Sequence, residues 1–242
     1  MQSLAHSPTI ESPTLNFNRA FLLIGLAIFT SQLYSLVLGF AYGMISEGLS
    51  EEYYFYSEIG TIAWYVLVLG IVLWDIRSQA LVPANLFRCD FSRLWAYLNT
   101  VLGYFGGCAV AVLLISSLSK DTELGLEYQT TVLRGLSFLT TVILAPIFEE
   151  LIFRGYLYTS MLTAFKREKE RLVVNAMLFA AAHVFLAGFL FGAEIPYYIF
   201  VLGYLLAKLY ERSRSVLPCI VLHALNNSLV FAIDMAKLAM YS

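Results

Sequence analysis

The sequence predicts an all-α, polytopic transmembrane helix bundle of about seven spans, and three observations lead there. Hydrophobic residues make up 60% of the 242 positions and charged ones only 13%, against roughly one quarter charged in soluble domains. Mean hydropathy is +0.74, and the apolar residues spread over nearly the whole length, which suits a single membrane domain. Basic and acidic residues alternate from one inter-span loop to the next.

Taken in order, residues 1–19 hold Pro8, Pro13 and several Ser and Thr, and read as a loose polar tail. The apolar run after it is longer than a signal-peptide core and has no small-residue cleavage site, so it reads as a retained first span near Ala20–Ser46. A bilayer core needs roughly 20 apolar residues in a helix. On that ruler further spans fall near Ile59–Trp74, Leu94–Leu118, Thr130–Leu151, Leu172–Ala187, Ile195–Tyr210 and Leu217–Met235, the second, fifth and sixth being short. An eighth, re-entrant or interfacial piece fits around Phe189–Ile195. Leu81–Arg93 mixes Pro83, Arg88, Asp90 and Arg93 with Leu86, Phe87 and Phe91, which suits either an interfacial helix or a plain loop. Pro146 lacks an amide donor and crowds the preceding turn, so it is expected to kink or end its helix.

Charge sets the orientation. Arg19, then Arg77, Arg88 and Arg93, then Lys166, Arg167, Lys169 and Arg171, then Lys208, Arg212 and Arg214 share one side if spans alternate. The opposite loops hold Glu47, Glu51, Glu52 and Glu58, then Asp121, Glu123 and Glu127, with Lys120 as exception. The positive-inside rule then puts the N-terminus in the cytoplasm and the C-terminus outside, with the cell membrane as the expected location. A net charge of −2 gives nothing in favour of nucleic acid. Cys89, Cys108 and Cys219 are odd in number and lack metal or redox spacing, and read as small core residues.

The chemistry concentrates in Pro146-Ile147-Phe148-Glu149-Glu150-Leu151-Ile152-Phe153-Arg154-Gly155. A charge at bilayer depth costs about 3 kcal/mol even on lenient insertion scales, so three together demand partners and a reason. Glu150 and Arg154 stand one helical turn apart and can pair. Glu149 is rotated about 100° from Glu150, which leaves its carboxylate unpaired and free to act. An ion pair that merely locks helices accounts for Glu150 and Arg154, but not for Glu149. Two of the three histidines lie in late spans: His183 after small alanines, and His223 one turn before Asn227. A lone core histidine is usually just hydrogen-bonded; two beside an intramembrane Glu pair shift that balance toward a cavity. His6 is assigned no role. Ser228 and Cys219 have no evident activating base.

Glu149-Glu150-x-x-x-Arg154, Phe179-x-x-x-His183 and His223-x-x-x-Asn227, in that order on separate helices, resemble the signature of the CPBP (Abi) intramembrane proteases. That group includes type II CAAX prenyl endopeptidases and bacteriocin-processing or immunity proteins. Each motif alone is weak; the ordered set is specific. The resemblance covers about the last half of the chain and implies 20–128 as accessory helices and 129–242 as the catalytic bundle. It implies that Glu149 and His183 polarise a water, that His223 and Asn227 stabilise the oxyanion, and that Glu150 with Arg154 holds the site together. Hydrolysis needs such a base and such donors. A polar cavity opening toward Lys166–Arg171 is expected to admit substrate.

Metal stays open at this stage. Glu149, His183 and His223 match the ligand types of a catalytic zinc site, yet HExxH is absent and three helices would have to converge. The balance leans slightly toward no tightly bound metal. The implied partners are membrane lipid and a peptide or protein substrate, prenylated if the CAAX association holds. Two alternatives compete with the protease. One is a catalytically idle binding or immunity protein of the same fold, which need not keep all four polar residues. The other is a proton carrier or transporter, for which no internal repeat is visible. Gly103, Gly106 and Gly107 suit close helix packing or a groove. Tyr53-Tyr54-Phe55-Tyr56 and Tyr197-Tyr198 suit the membrane interface.

Overall fold

A computed structural model describes residues 15–45, 51–82, 130–183 and 197–241 continuously, and residues 84–106 in part. Among the described residues every regular element is helical. The elements are α1 (Phe17–Ile45), α2 (Glu51–Ser78), α3 (Thr131–Ser137), α4 (Ala145–Glu150), α5 (Thr159–Ala164), α6 (Glu168–His183), α7 (Tyr197–Ser213) and α8 (Leu217–Tyr241). Two π-helical stretches, Phe138–Leu144 and Leu151–Tyr158, join α3 to α4 and α4 to α5, so that Thr131–Ala164 is one continuous helical rod. Thr130 caps its start, the side-chain oxygen accepting from the Leu133 amide at 3.3 Å.

α1 and α2 form an antiparallel pair tied at both ends. Asn16 N donates to Gln79 Oε1 at 3.0 Å, and Tyr34 donates to the Tyr56 carbonyl at 3.1 Å. α2 closes with Ala80 at φ 57° and the Leu81 amide on the Ile76 carbonyl at 3.1 Å, a left-handed cap. α6 and α7 pack antiparallel and very close: a Cβ on Gly203 would lie 3.0 Å from Phe179 Cδ1. The core surrounds the second π stretch, where Tyr156, Leu157 and Met161 are fully buried against Phe179, Leu206 and Leu222. Leu22, Phe40, Val66 and Trp74 are exposed, as expected of surface that faces lipid rather than water.

Four helical segments are long and apolar enough to cross a membrane: Phe17–Ala41, Glu52–Ser78, Thr131–Ala164 and Leu217–Ala236. The expected seven are thus not all matched. α6 has 16 residues and opens on Glu168-Lys169-Glu170-Arg171; at 1.5 Å per residue it reaches only about 24 Å, short of a bilayer core. α7 has 17 residues. The expected third span and the piece around Phe189–Ile195 lie largely or wholly outside the described residues. In the 81–93 segment, residues 87–90 are not helical; they dock on the α7–α8 junction, where Val216 N donates to the Arg88 carbonyl at 2.9 Å and Asp90 N to Ser215 Oγ at 3.0 Å. Cys89 is exposed and only Cys219 is a core residue, Cys108 lying outside the described residues.

Basic residues collect at one end of the bundle. Arg19 reaches Ser78 and Asp75 beside Arg77. Phe17 stacks edge-on with Phe165, next to Lys166 and Arg167, at 5.1 Å between centroids. Arg171 and Arg214 share Glu211. At the other end of α2, Glu58 accepts from Ser137 Oγ at 2.7 Å.

Candidate active site

The two acids occupy a six-residue α-helical island between the π stretches. Pro146 explains the first transition. It can donate no hydrogen bond, and the chain reaches it through a wider turn in which Ala145 N bonds the Thr140 carbonyl five residues back. The helix therefore neither stops nor loses continuity at Pro146; it changes winding.

Glu150 points inward with Arg154. Arg154 Nη1 donates to Glu150 Oε1 at 2.8 Å, and both side chains are fully buried. Arg154 Nη2 donates to the Gly203 carbonyl at 3.0 Å, and the guanidinium lies 4.4 Å from the Phe179 ring centroid. His223, also buried, turns Nδ1 to the same Glu150 oxygen at 3.0 Å. One carboxylate thus joins the long rod to α8, while its arginine binds α7.

Glu149 faces a different neighbour. Its Oε2 lies 3.4 Å from His183 Nε2 and has no hydrogen-bond partner among the described residues. His183 Nδ1 is 2.8 Å from the Phe179 carbonyl, which assigns the Nδ1 proton to that bond. Glu149 is not free, contrary to the sequence expectation: its Oε1 accepts from the Tyr65 hydroxyl at 2.7 Å. Tyr65 comes from α2, within the segment expected to be accessory, and stacks on Phe148 with centroids 5.2 Å apart and planes 7° from parallel. The available signal was a tyrosine in mid-span, whose hydroxyl needs a buried partner.

Glu149 with His183 and Glu150 with Arg154 and His223 are therefore neighbouring clusters, with Phe179 between the imidazoles at 4.6 and 5.7 Å. Asn227 sits one turn beyond His223, but its Nδ2 donates to the Thr141 carbonyl at 2.9 Å while its Oδ1 accepts from Asn226 at 3.2 Å. One amide hydrogen of its two remains uncommitted by these bonds. Ser228 donates to the Ala224 carbonyl and Cys219 to the Leu206 carbonyl, so neither hydroxyl nor thiol is directed at a base.

Among the described residues, no group of three or more His, Cys, Asp and Glu side chains is arranged to hold a metal ion. Both imidazoles spend Nδ1 on protein acceptors and Glu149 spends Oε1 on Tyr65, which leaves Nε2 of each ring and Oε2 as the atoms a metal would use. As arranged, Glu149, His183 and His223 do not form such a group. Two open cavities are lined by Glu52, Tyr56 and Leu133 in one case and by Val66, Gly70 and Trp74 in the other, and neither is lined by a residue of the Lys166–Arg171 segment, where a cavity was expected. The basic end holds two polar knots, Arg19–Asp75–Tyr156 and Arg171–Glu211–Tyr158.

Comparison with known families matches residues 131–229 to the type II CAAX prenyl endopeptidase Rce1-like family. Across that segment the chain is similar to that family. The matched segment contains Glu149, Glu150, Arg154, His183, His223 and Asn227, and leaves out Tyr65 and Asp75. With its long apolar helices, the chain is an integral membrane protein. No curated protein and no solved structure matched it.

Proposed function

We propose that this chain is an intramembrane endopeptidase that hydrolyses a peptide bond of a membrane-tethered substrate, with a water activated by Glu149 and His183. The observation that carries the reading is the contact between those two side chains. With its Nδ1 proton on the Phe179 carbonyl, a neutral His183 presents a bare Nε2 toward a bare Glu149 oxygen. Two acceptors that face each other call for a donor. A water seated beside them can give one hydrogen to each, with its lone pairs turned to an incoming carbonyl.

In the reaction, Glu149 takes a proton from that water as its oxygen bonds to the scissile carbonyl carbon. The carbonyl oxygen becomes an oxyanion. His223 in its imidazolium form offers Nε2–H, and Asn227 offers its second amide hydrogen, as stabilising donors. Glu149 then returns the proton to the leaving nitrogen, the C–N bond breaks, and a carboxylic acid and an amine result, the acid's remaining proton passing on to the amine. Glu150 and Arg154 hold His223 and the rod in register. The family match supports a substrate with a CAAX-type, prenylated C-terminus. The basic residues gathered at one end support an orientation with the N-terminus in the cytoplasm of a cell-membrane protein.

The test is cleavage, by the full chain in proteoliposomes, of a membrane-tethered peptide with a prenylated C-terminus. Wild type should cleave it, and Glu149→Gln should fold normally but not cleave. Wild-type rates in both Glu149→Gln and His223→Ala would overturn the proposal and favour the idle binding protein.

A further inference from the structure

We infer that Tyr65, from the second helix and outside the family segment, is a positioning residue for Glu149; this rests on the protease reading above. Tyr65 is buried, and its hydroxyl lies 2.7 Å from Glu149 Oε1. The ring is fixed by the near-parallel stack on Phe148, the residue immediately before Glu149. Stack and hydrogen bond together leave the carboxyl group one orientation. Oε1 belongs to Tyr65, and Oε2 is turned to His183 Nε2. A carboxylate held on one oxygen by a charge-assisted bond presents the other in a fixed direction, as a base that must meet its water needs.

The same two N-terminal helices brace the other half of the pair. Gln32 of α1 donates to the Ala182 carbonyl at 3.2 Å, on the turn that carries His183. Asp75, ten residues beyond Tyr65 on α2, accepts from Tyr156 in the rod. α2 is thereby tied to the rod on both sides of Arg154, at Glu149 and at Tyr156. The helices that the family segment omits set the directions of the groups it contains.

The experiment compares Tyr65→Phe, Glu149→Gln and the double variant as full chains in proteoliposomes, with the prenylated membrane-tethered peptide. Phe keeps the ring and its stack and removes only the hydroxyl. A hydrogen bond to a charged group predicts a kcat about 10- to 100-fold lower in Tyr65→Phe. KM and the thermal midpoint should stay unchanged, and the hydroxyl should have no further effect in the Glu149→Gln background. A ring-fluorinated tyrosine at position 65, which keeps a donor, should retain kcat; if Tyr65→Phe does not accumulate, this variant decides alone, and loss of kcat in it overturns the inference. A wild-type kcat in Tyr65→Phe, or a fall in kcat that only follows a fall in thermal midpoint, also overturns it. Normal cleavage by Glu149→Gln is a different result, because it overturns the protease reading itself.

Discussion

His223 Nδ1 lies 3.0 Å from a Glu150 oxygen that also takes Arg154 at 2.8 Å. One buried acid therefore serves two cations or one cation and a neutral ring, depending on the state of His223. Because the Nδ1 contact is always a donation, a neutral His223 shows only a lone pair at Nε2 and becomes a donor there on protonation.

Removing Arg154 should therefore unfold the site. Arg154→Ala leaves Glu150 buried without its permanent counter-charge, a loss of about 3–5 kcal/mol for a fully buried pair. Arg154→Lys should recover only part, since one ammonium cannot span Glu150 and the Gly203 carbonyl as the guanidinium fork does. Thermal unfolding in detergent, with membrane abundance beside it, checks both. A wild-type midpoint for Arg154→Ala would contradict the assignment of a structural role.

Asp75 should matter for stability and not for turnover. Its buried carboxylate accepts from Tyr156 at 2.5 Å and Gln79 at 2.6 Å, and pairs with Arg19 at 2.5 Å. Asp75→Asn should cost about 1–3 kcal/mol, with kcat per folded molecule unchanged. Arg19→Ala should add little on top, because the two share one network. Full additivity of the two losses would show that the contacts are independent.

Glu211 gives the fold an acid-sensitive joint. Burial pushes its carboxyl up, but bonds from Tyr158 and Arg171 and the nearby charge of Arg214 outweigh that and hold it below the ordinary value. A folded-state value below the unfolded one contributes stability that is complete above about pH 4.3 and is lost as pH falls through the lower, folded value. The thermal midpoint should drop on acidification through that range. The slope should be shallower in Glu211→Gln, and an unchanged slope would mean that Glu211 does not contribute it.

Metal removal should leave cleavage intact. Exhaustive chelation followed by assay in metal-free buffer is expected to retain full activity under the glutamate mechanism. Loss of activity on chelation, with recovery on added zinc, would require a movement that brings Glu149, His183 and His223 onto one ion.

Much of the site's composition was legible because charge in an apolar helix is conspicuous. Glu149, Glu150 and Arg154 stand out for that reason, and the pairing of Glu150 with Arg154 needs only helical spacing. Partners chosen by packing between distant helices leave no such mark. Nothing around Trp64-Tyr65-Val66 in α2 points to a residue 84 positions away, and Asp75 beside Arg77 reads as an ordinary charged helix end. Among the described residues α6 does not reach the length and apolarity of a crossing helix, because its first turn is charged and the described part of it ends at His183. The winding of the rod was invisible too, since Pro146 signals a disturbance without saying which kind.

That winding makes the site a matter of chain length. Each π stretch holds more residues per turn than the α-helix around it, so the island bearing Glu149 is set by counting residues from Thr131. Inserting one further residue between Phe138 and Leu144, with no wider turn left to absorb it, would swing Glu149 by about 100° and shift it by about 1.5 Å relative to α3, away from Tyr65 and His183. Deleting one residue there would instead let ordinary winding resume with Glu149 near its present place, because a π turn holds about one residue more than the α turn it replaces. Apolar exchanges within Phe138–Leu144 keep the count and should be silent, whereas one added codon there would misalign the proposed catalytic carboxylate.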